Sequence, residues 1–122
     1  MKLHADGRGT YNTITAYGDD YVVVNSDRHE SSVIVMADRV LPWTTPSFDR
    51  LTEESLAPVA QEKPEIVLLG TGPKQRFPHP RLTAALAAQR IGVEVMDLKA
   101  ACRTYNILVA EERKVAAALL FK

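Results

Sequence analysis

The residues with the most chemical potential lie in two short segments. One is Gly70-Thr71-Gly72-Pro73-Lys74-Gln75-Arg76-Phe77-Pro78, and the other runs from Asp97 through Cys102-Arg103-Thr104-Tyr105-Asn106. In the first, Gly70 and Gly72 permit backbone conformations that expose N–H groups, and Lys74 and Arg76 add positive charge, a combination suited to a small anion. The pattern is neither GxGxxG nor GxxxxGK[ST], and Pro73 removes one donor. The plainer reading is a tight exit from a crowded strand. In the second segment, Cys102 is a nucleophile only if a helix N-terminus or a cation activates it. Counted from a cap at Asp97, it falls about five residues into a helix, past the strongest part of the dipole. Its stripe partners Leu98, Ala101 and Tyr105 mark a core cysteine, and no histidine is placed to act as its base. Arg103, Thr104, Tyr105 and Asn106 are either helix-end solvation or a recognition edge beside Arg76. No pair of carboxylates suggests acid–base work, and Asp97 reads as a cap. Trp43, after Pro42, is a packed aromatic or, if exposed, an anchor for a partner.

Positioning these segments requires a particular set of elements. Ile66-Val67-Leu68-Leu69 is apolar on both faces, as a strand covered on two sides would be, and Gly70-Thr71-Gly72-Pro73 stops it. Pro80 is well placed to open a helix with a stripe of Leu82, Ala85, Leu86 and Gln89, and Gly92 is expected to end it. Val93-Glu94-Val95-Met96 is a short strand, and Asp97 caps a further helix. Residues 66–96 therefore form a βαβ unit with parallel strands. Ligands favour the carboxyl ends of such strands, where the two segments would face each other. Residues 115–120 fit either a helix or a strand by periodicity, and a strand is expected because alanines also suit a close-packed sheet centre. Before this unit, residues 10–43 are β-rich: Thr13-Ile14-Thr15-Ala16-Tyr17, Tyr21-Val22-Val23-Val24, Ser32-Val33-Ile34-Val35-Met36 and Val40-Leu41-Pro42-Trp43 are expected to be antiparallel neighbours. A short helix follows from Thr52, with a kink or later start at Pro58 and an end at Lys63-Pro64. The fold class is α/β, a single three-layer domain over residues 1–122 with a central mixed β-sheet.

Composition narrows the function. The chain has 122 residues, enough to bury a core without staples. Fifteen Lys plus Arg balance fifteen Asp plus Glu, which argues against nucleic acid as a partner. One cysteine and three scattered histidines, His4, His29 and His79, offer no metal set, and no cofactor motif is matched. Residues 1–7 lack the features of a signal or transit peptide, and no apolar run approaches the ~20 residues of a membrane span. The expectation is a cytoplasmic protein without membrane insertion. Its oligomeric state is not fixed by the sequence.

Several segments taken together resemble one family. They are Glu65-Ile66-Val67-Leu68-Leu69-Gly70-Thr71-Gly72, Gln75-Arg76-Phe77-Pro78, Gly92-Val93-Glu94-Val95-Met96-Asp97 and Ala101-Cys102-Arg103-Thr104-Tyr105-Asn106-Ile107-Leu108, with Ser32-Val33-Ile34-Val35 and Val40-Leu41-Pro42-Trp43 in the first half. The family is a small domain of unknown function whose eukaryotic relatives include the adipogenesis-associated domain protein and a mitochondrial complex I assembly factor. The resemblance implies a three-layer α/β fold with residues 115–120 as a sheet strand, and no proven enzyme activity. Gly70, Gly72, Arg76, Phe77, Pro78, Asp97, Arg103, Thr104, Tyr105 and Asn106 match its motifs. One departure is that the family usually carries Glu-Gly-Arg before the last strand, where this chain has Glu111-Glu112-Arg113, so that turn or the helix before it is expected to change.

Two functional readings follow. The first is a non-catalytic protein-interaction or assembly module, whose contact surface is Trp43, Arg76, Phe77, Arg103 and Tyr105. The second is a small-anion binder or an unrecognised enzyme using residues 70–76 with Arg103. A turn packed shut against the helix from Asp97 would count against the second.

Overall fold

The computed structural model describes residues 11–122. The expectations made for residues 1–7, for His4 and for the start of the β-rich stretch at residue 10 lie outside them. In chain order the elements are β1 (Ile14–Tyr17), β2 (Val22–Val24), β3 (Asp27–His29), β4 (Val33–Met36), β5 (Arg39–Pro42), α1 (Ala57–Ala60), β6 (Ile66–Thr71), α2 (Ala84–Ala88), β7 (Gly92–Met96), α3 (Leu98–Ala110) and β8 (Val115–Leu120). Single 3-10 turns occupy Phe48–Arg50 and Pro80–Leu82.

The main sheet has the order β5-β4-β8-β6-β7. β6 runs parallel to both β7 and β8, while β4 is antiparallel to β8 and β5, so the sheet is mixed. β8 is its central strand, and all six of its residues are buried. Three consecutive alanines, Ala116 to Ala118, let layers approach closely on both sides. Alternation sorts the side chains by face. Val33, Val35, Leu68, Val115, Ala117 and Leu119 point to one core, which α3 closes through Leu98, Ala101, Cys102, Tyr105 and Val109. Ile34, Met36, Val67, Leu69, Ala116, Ala118 and Leu120 point to the other, closed by Leu56, Val59, Ala60, Leu86 and Trp43. The result is three layers.

The N-terminal β-rich half differs from expectation in one respect. Its strands pair antiparallel where consecutive, but they split between two sheets, β1-β2-β3 standing apart from β4-β5. The free edge of β4 is taken by β8, so β3 cannot pair with it. β3 itself was not anticipated. Asn25, with φ 58°, turns the chain tightly enough for Asp27–His29 to fold back on β2. The small sheet packs Ile14, Val22 and Val24 against the same core as α3.

Of two helix boundaries, one is as expected and one is corrected. The helix after Thr52 has the later start, at Ala57, with Pro58 in its first turn, where a missing N–H costs nothing. The helix expected from Pro80 is a 3-10 turn followed by α2, and Gly92 is not its stop but the first residue of β7. The stop is Arg90, at φ 62°. Its N–H donates to Ala87 O at 3.0 Å and the next N–H, of Ile91, to Leu86 O at 2.9 Å, a Schellman arrangement. α3 ends the same way: Glu112 sits at φ 63°, with Glu112 N–H to Val109 O and Arg113 N–H to Leu108 O, both 3.0 Å. The expected glycine position therefore keeps its left-handed geometry with a glutamate in it.

Candidate functional site at the carboxyl ends of the parallel strands

β6 delivers Gly70 and Thr71 inside the sheet and Gly72 just beyond it. Gly70 is required by close packing: a Cβ there would stand 3.0 Å from Leu119 Cδ2, 3.2 Å from Ala101 Cβ and 3.6 Å from Leu98 Cα. The first turn of α3 thus rests on the strand. Gly72 has φ +92°, and its carbonyl accepts from Leu98 N–H at 2.8 Å. A Cβ on Gly72 would meet Lys122 N at 3.2 Å. The two glycines are buried, and the turn is closed against α3 and the end of β8.

Thr71 organises the loop that follows. Its hydroxyl, 1% exposed, accepts from Arg76 N–H at 3.0 Å and donates to Lys74 O at 2.6 Å, with Met96 O at 3.3 Å. Gln75 Nε2 donates to Val95 O at 2.9 Å, covering a carbonyl of the edge strand β7. The Arg76 guanidinium donates to Asp49 Oδ1 at 2.7 Å and lies 4.2 Å from the centre of the Phe48 ring. Arg76 therefore latches the loop to the Phe48–Arg50 turn. Phe77, the next residue, has no such engagement and is 77% exposed. Lys74 is exposed as well.

Across the crevice, Asp97 caps α3 by accepting from Ala100 N–H at 2.9 Å. Arg103 is exposed one to two turns along. With Asp97, Leu98, Lys99, Gly72, Pro73, Gly18 and Asp19 it lines a concavity of about 270 Å3. Lys99 Nζ is paired there with Asp19 Oδ1 at 3.0 Å.

The remaining sequence candidates turn inward. Trp43 is 5% exposed, its indole N–H donating to Ser55 O at 2.9 Å. Tyr105 is buried, its hydroxyl donating to Asn12 O at 2.8 Å. Burial drives its pKa upward. Asn106 mimics a neighbouring strand: its Oδ1 accepts from Ile14 N–H at 2.9 Å and its Nδ2 donates to Ile14 O at 2.8 Å. Thr104 is half-buried. The polar run at 104–106 is thus largely a clamp holding β1 to α3. Cys102 is fully buried, and burial pushes its thiol up to about 12, with Arg103 opposing only in part. At neutral pH it is a thiol, not a thiolate. Among the described residues, no group of His, Cys, Asp and Glu could hold a metal ion, and no helix is long and apolar enough to cross a membrane.

The structure thus brings residues 70–77 against Asp97 and Arg103, and withdraws Trp43, Tyr105 and Asn106 from the surface. Phe48 and Asp49, which fix the loop together with Gln75, carry no mark in the sequence. Their roles arise only because the loop crosses β7 and the Phe48–Arg50 turn.

The fold recurs in known proteins. A crystal structure of a Bordetella parapertussis protein superposes with a TM-score of 0.87 at 40% identity, covering 93% of this chain and 98% of that one. The NADH dehydrogenase [ubiquinone] 1 alpha subcomplex assembly factor 3 of Bos taurus is 34% identical over 109 residues, 88% of this chain and 59% of that protein. The 13 kDa major membrane protein of Francisella tularensis is 30% identical over 100 residues, 80% of this chain and 81% of that protein. The chain thus spans about three-fifths of the length of the assembly factors it matches. The model of the DUF498/DUF598 family, described as proteins of unknown function, matches residues 14–120, and the chain belongs to that family.

Proposed function

We propose that the chain is a non-catalytic protein-interaction module of the assembly-factor kind, and that Phe77 is its anchor. The observation that carries this is a large aromatic, 77% exposed, on a loop whose backbone and flanking side chains are held from three sides. An apolar ring presented by a fixed loop loses little entropy on binding, which is what a hot spot requires. The relatives named as complex I assembly factors support the reading, because assembly factors act on other proteins.

The sheet edges favour engagement through side chains rather than through an added strand. Trp43 N–H donates to Ser32 O at 3.1 Å, so by alternation Pro42 faces outward on β5, where it has no N–H to offer. On β7, Gln75 already occupies Val95 O. Small-anion binding at residues 70–76 is the weaker reading. The turn's carbonyl and hydroxyl are used internally, and Arg76 is committed to Asp49.

The test is affinity capture of the tagged protein from its own cells, compared with Phe77→Ser. The variant should keep its melting temperature and lose the captured partner. Thr71→Val, which frees the loop, should weaken capture in the same direction. Undiminished recovery with Phe77→Ser would remove Phe77 from the interface.

A further inference from the structure

Phe77 has one counterpart elsewhere on the surface. Among the described residues, Ile107 is the only other large apolar side chain left exposed, at 58%. It lies on the outer stripe of α3, whose inner stripe, Leu98, Ala101, Cys102, Tyr105 and Val109, is spent on the core. Arg113, just beyond α3, pairs with Glu65, just before β6. Ile107 therefore lies towards the end of the sheet opposite to Phe77.

The outer stripe is self-complementary about Ile107. Arg103 stands four positions before it and Glu111 four after, each about 6 Å along the helix axis, and both are exposed. Thr104 and Ala110, three positions to either side, are small. A two-fold axis through Ile107, perpendicular to the helix, lays α3 antiparallel on a second copy of itself. Ile107 then meets Ile107, Arg103 meets Glu111, and Thr104 meets Ala110. Opposite charges fall together, and the small side chains let the helix axes approach. A parallel arrangement would instead set Arg103 against Arg103. The other charges on this face are already committed within the chain. Lys99 is held by Asp19 at 3.0 Å and Arg113 by Glu65 at 2.7 Å, whereas Arg103 and Glu111 make no ion pair among the described residues. Glu111 is close enough to act on Arg113, but Glu65 accepts the hydrogen bond. Asp97, at the start of the helix, is used as its cap.

We propose that α3 is the contact of a symmetric dimer of this chain, with Ile107 on the two-fold axis. One helix against one helix makes a small interface, so the association is weak and reversible.

Sedimentation of the purified protein over a range of concentrations tests this. The parent should pass from monomer to dimer as concentration rises. Ile107→Asp should weaken the dimer at least about tenfold, because both copies lose the central contact. Arg103→Glu and Glu111→Arg should each weaken it about tenfold, because each sets two like-charged pairs across the axis. An equimolar mixture of these two variants should recover the association. One copy then carries two acids and the other two bases, so both pairs across the axis are again opposite. A parent that stays monomeric at its highest soluble concentration would overturn the proposal, as would a dimer indifferent to Ile107→Asp. Single charge variants that dissociate but do not recover on mixing would overturn the antiparallel two-fold. Should Ile107→Asp lose the parent's melting temperature, the charge mixture decides alone. Phe77→Ser should dimerise as the parent does, which separates this result from the capture experiment.

Discussion

Asn106 offers the sharpest check on which polar residues near the site recognise a partner and which hold the fold. Its amide makes two hydrogen bonds to the backbone of Ile14, at 2.9 and 2.8 Å, in a partly buried setting. Asn106→Ala removes both and leaves the N–H and C=O of Ile14 without a partner at the edge of β1. Two such bonds contribute about 2 kcal/mol together, with a further cost if water cannot reach the orphaned groups. Unfolding entropy of about 2.1 cal/mol/K per residue gives a chain of this length about 0.26 kcal/mol/K, so the melting temperature should fall by about 8 °C. The loss should be local in origin. Amide exchange should accelerate first in β1 and β2, which are held to α3, besides apolar packing, by Asn106, by the Tyr105–Asn12 bond and by the exposed Lys99–Asp19 pair on their connecting turn. Arg103→Ala, less than one turn earlier but exposed, is the control and should shift stability by less than about 0.5 kcal/mol. Calorimetry together with hydrogen exchange decides the matter. An Asn106→Ala protein melting within 2 °C of the parent, or uniform exchange across both sheets, would refute the clamp.

Two other outcomes follow from the backbone and the buried thiol. Glu112 holds a left-handed conformation at φ 63°, which costs an L-residue about 1–2 kcal/mol, while glycine brings about 0.5–1 kcal/mol of extra unfolded-state freedom, so Glu112→Gly should stabilise by about 0.5–1 kcal/mol in urea unfolding. A lower midpoint would show that Glu112 makes a favourable interaction that outweighs its backbone strain. Cys102 should resist alkylation in the folded protein at pH 8 and react on unfolding. Its folded pKa, about 12, stands above the 9.0 of an unperturbed thiol. From about pH 9 upward the unfolded chain therefore holds fewer protons than the folded one, and stability falls as pH rises towards 12. The slope from this one group approaches about 1.4 kcal/mol per pH unit, and Cys102→Ala should remove that part of it. Urea midpoints between pH 8 and 11 would show the difference, and identical slopes would count against a buried neutral thiol.

Local pattern carried much of the architecture. The apolar run at 66–69, the βαβ unit and the Asp97 cap are legible because each depends on neighbours within a few positions: apolar pattern, turn residues, a capping side chain. The core position of Cys102 was legible for the same reason, from the stripe it shares with Leu98, Ala101 and Tyr105. What only the tertiary structure decided is long-range. It placed β8 between β4 and β6 and so split the N-terminal strands into two sheets, which no pattern within residues 10–43 records. It turned Asn106 and Tyr105 inward, because the segments they bond, around Asn12 and Ile14, lie more than ninety positions away in the chain. It buried Trp43 under α1 and tied Arg76 to Asp49. Polar and aromatic side chains are ambiguous in a sequence because either solvent, a partner or a distant backbone group can satisfy them. Phe77 alone among the aromatic candidates was left to solvent, and that assignment required knowing where every neighbouring segment had gone.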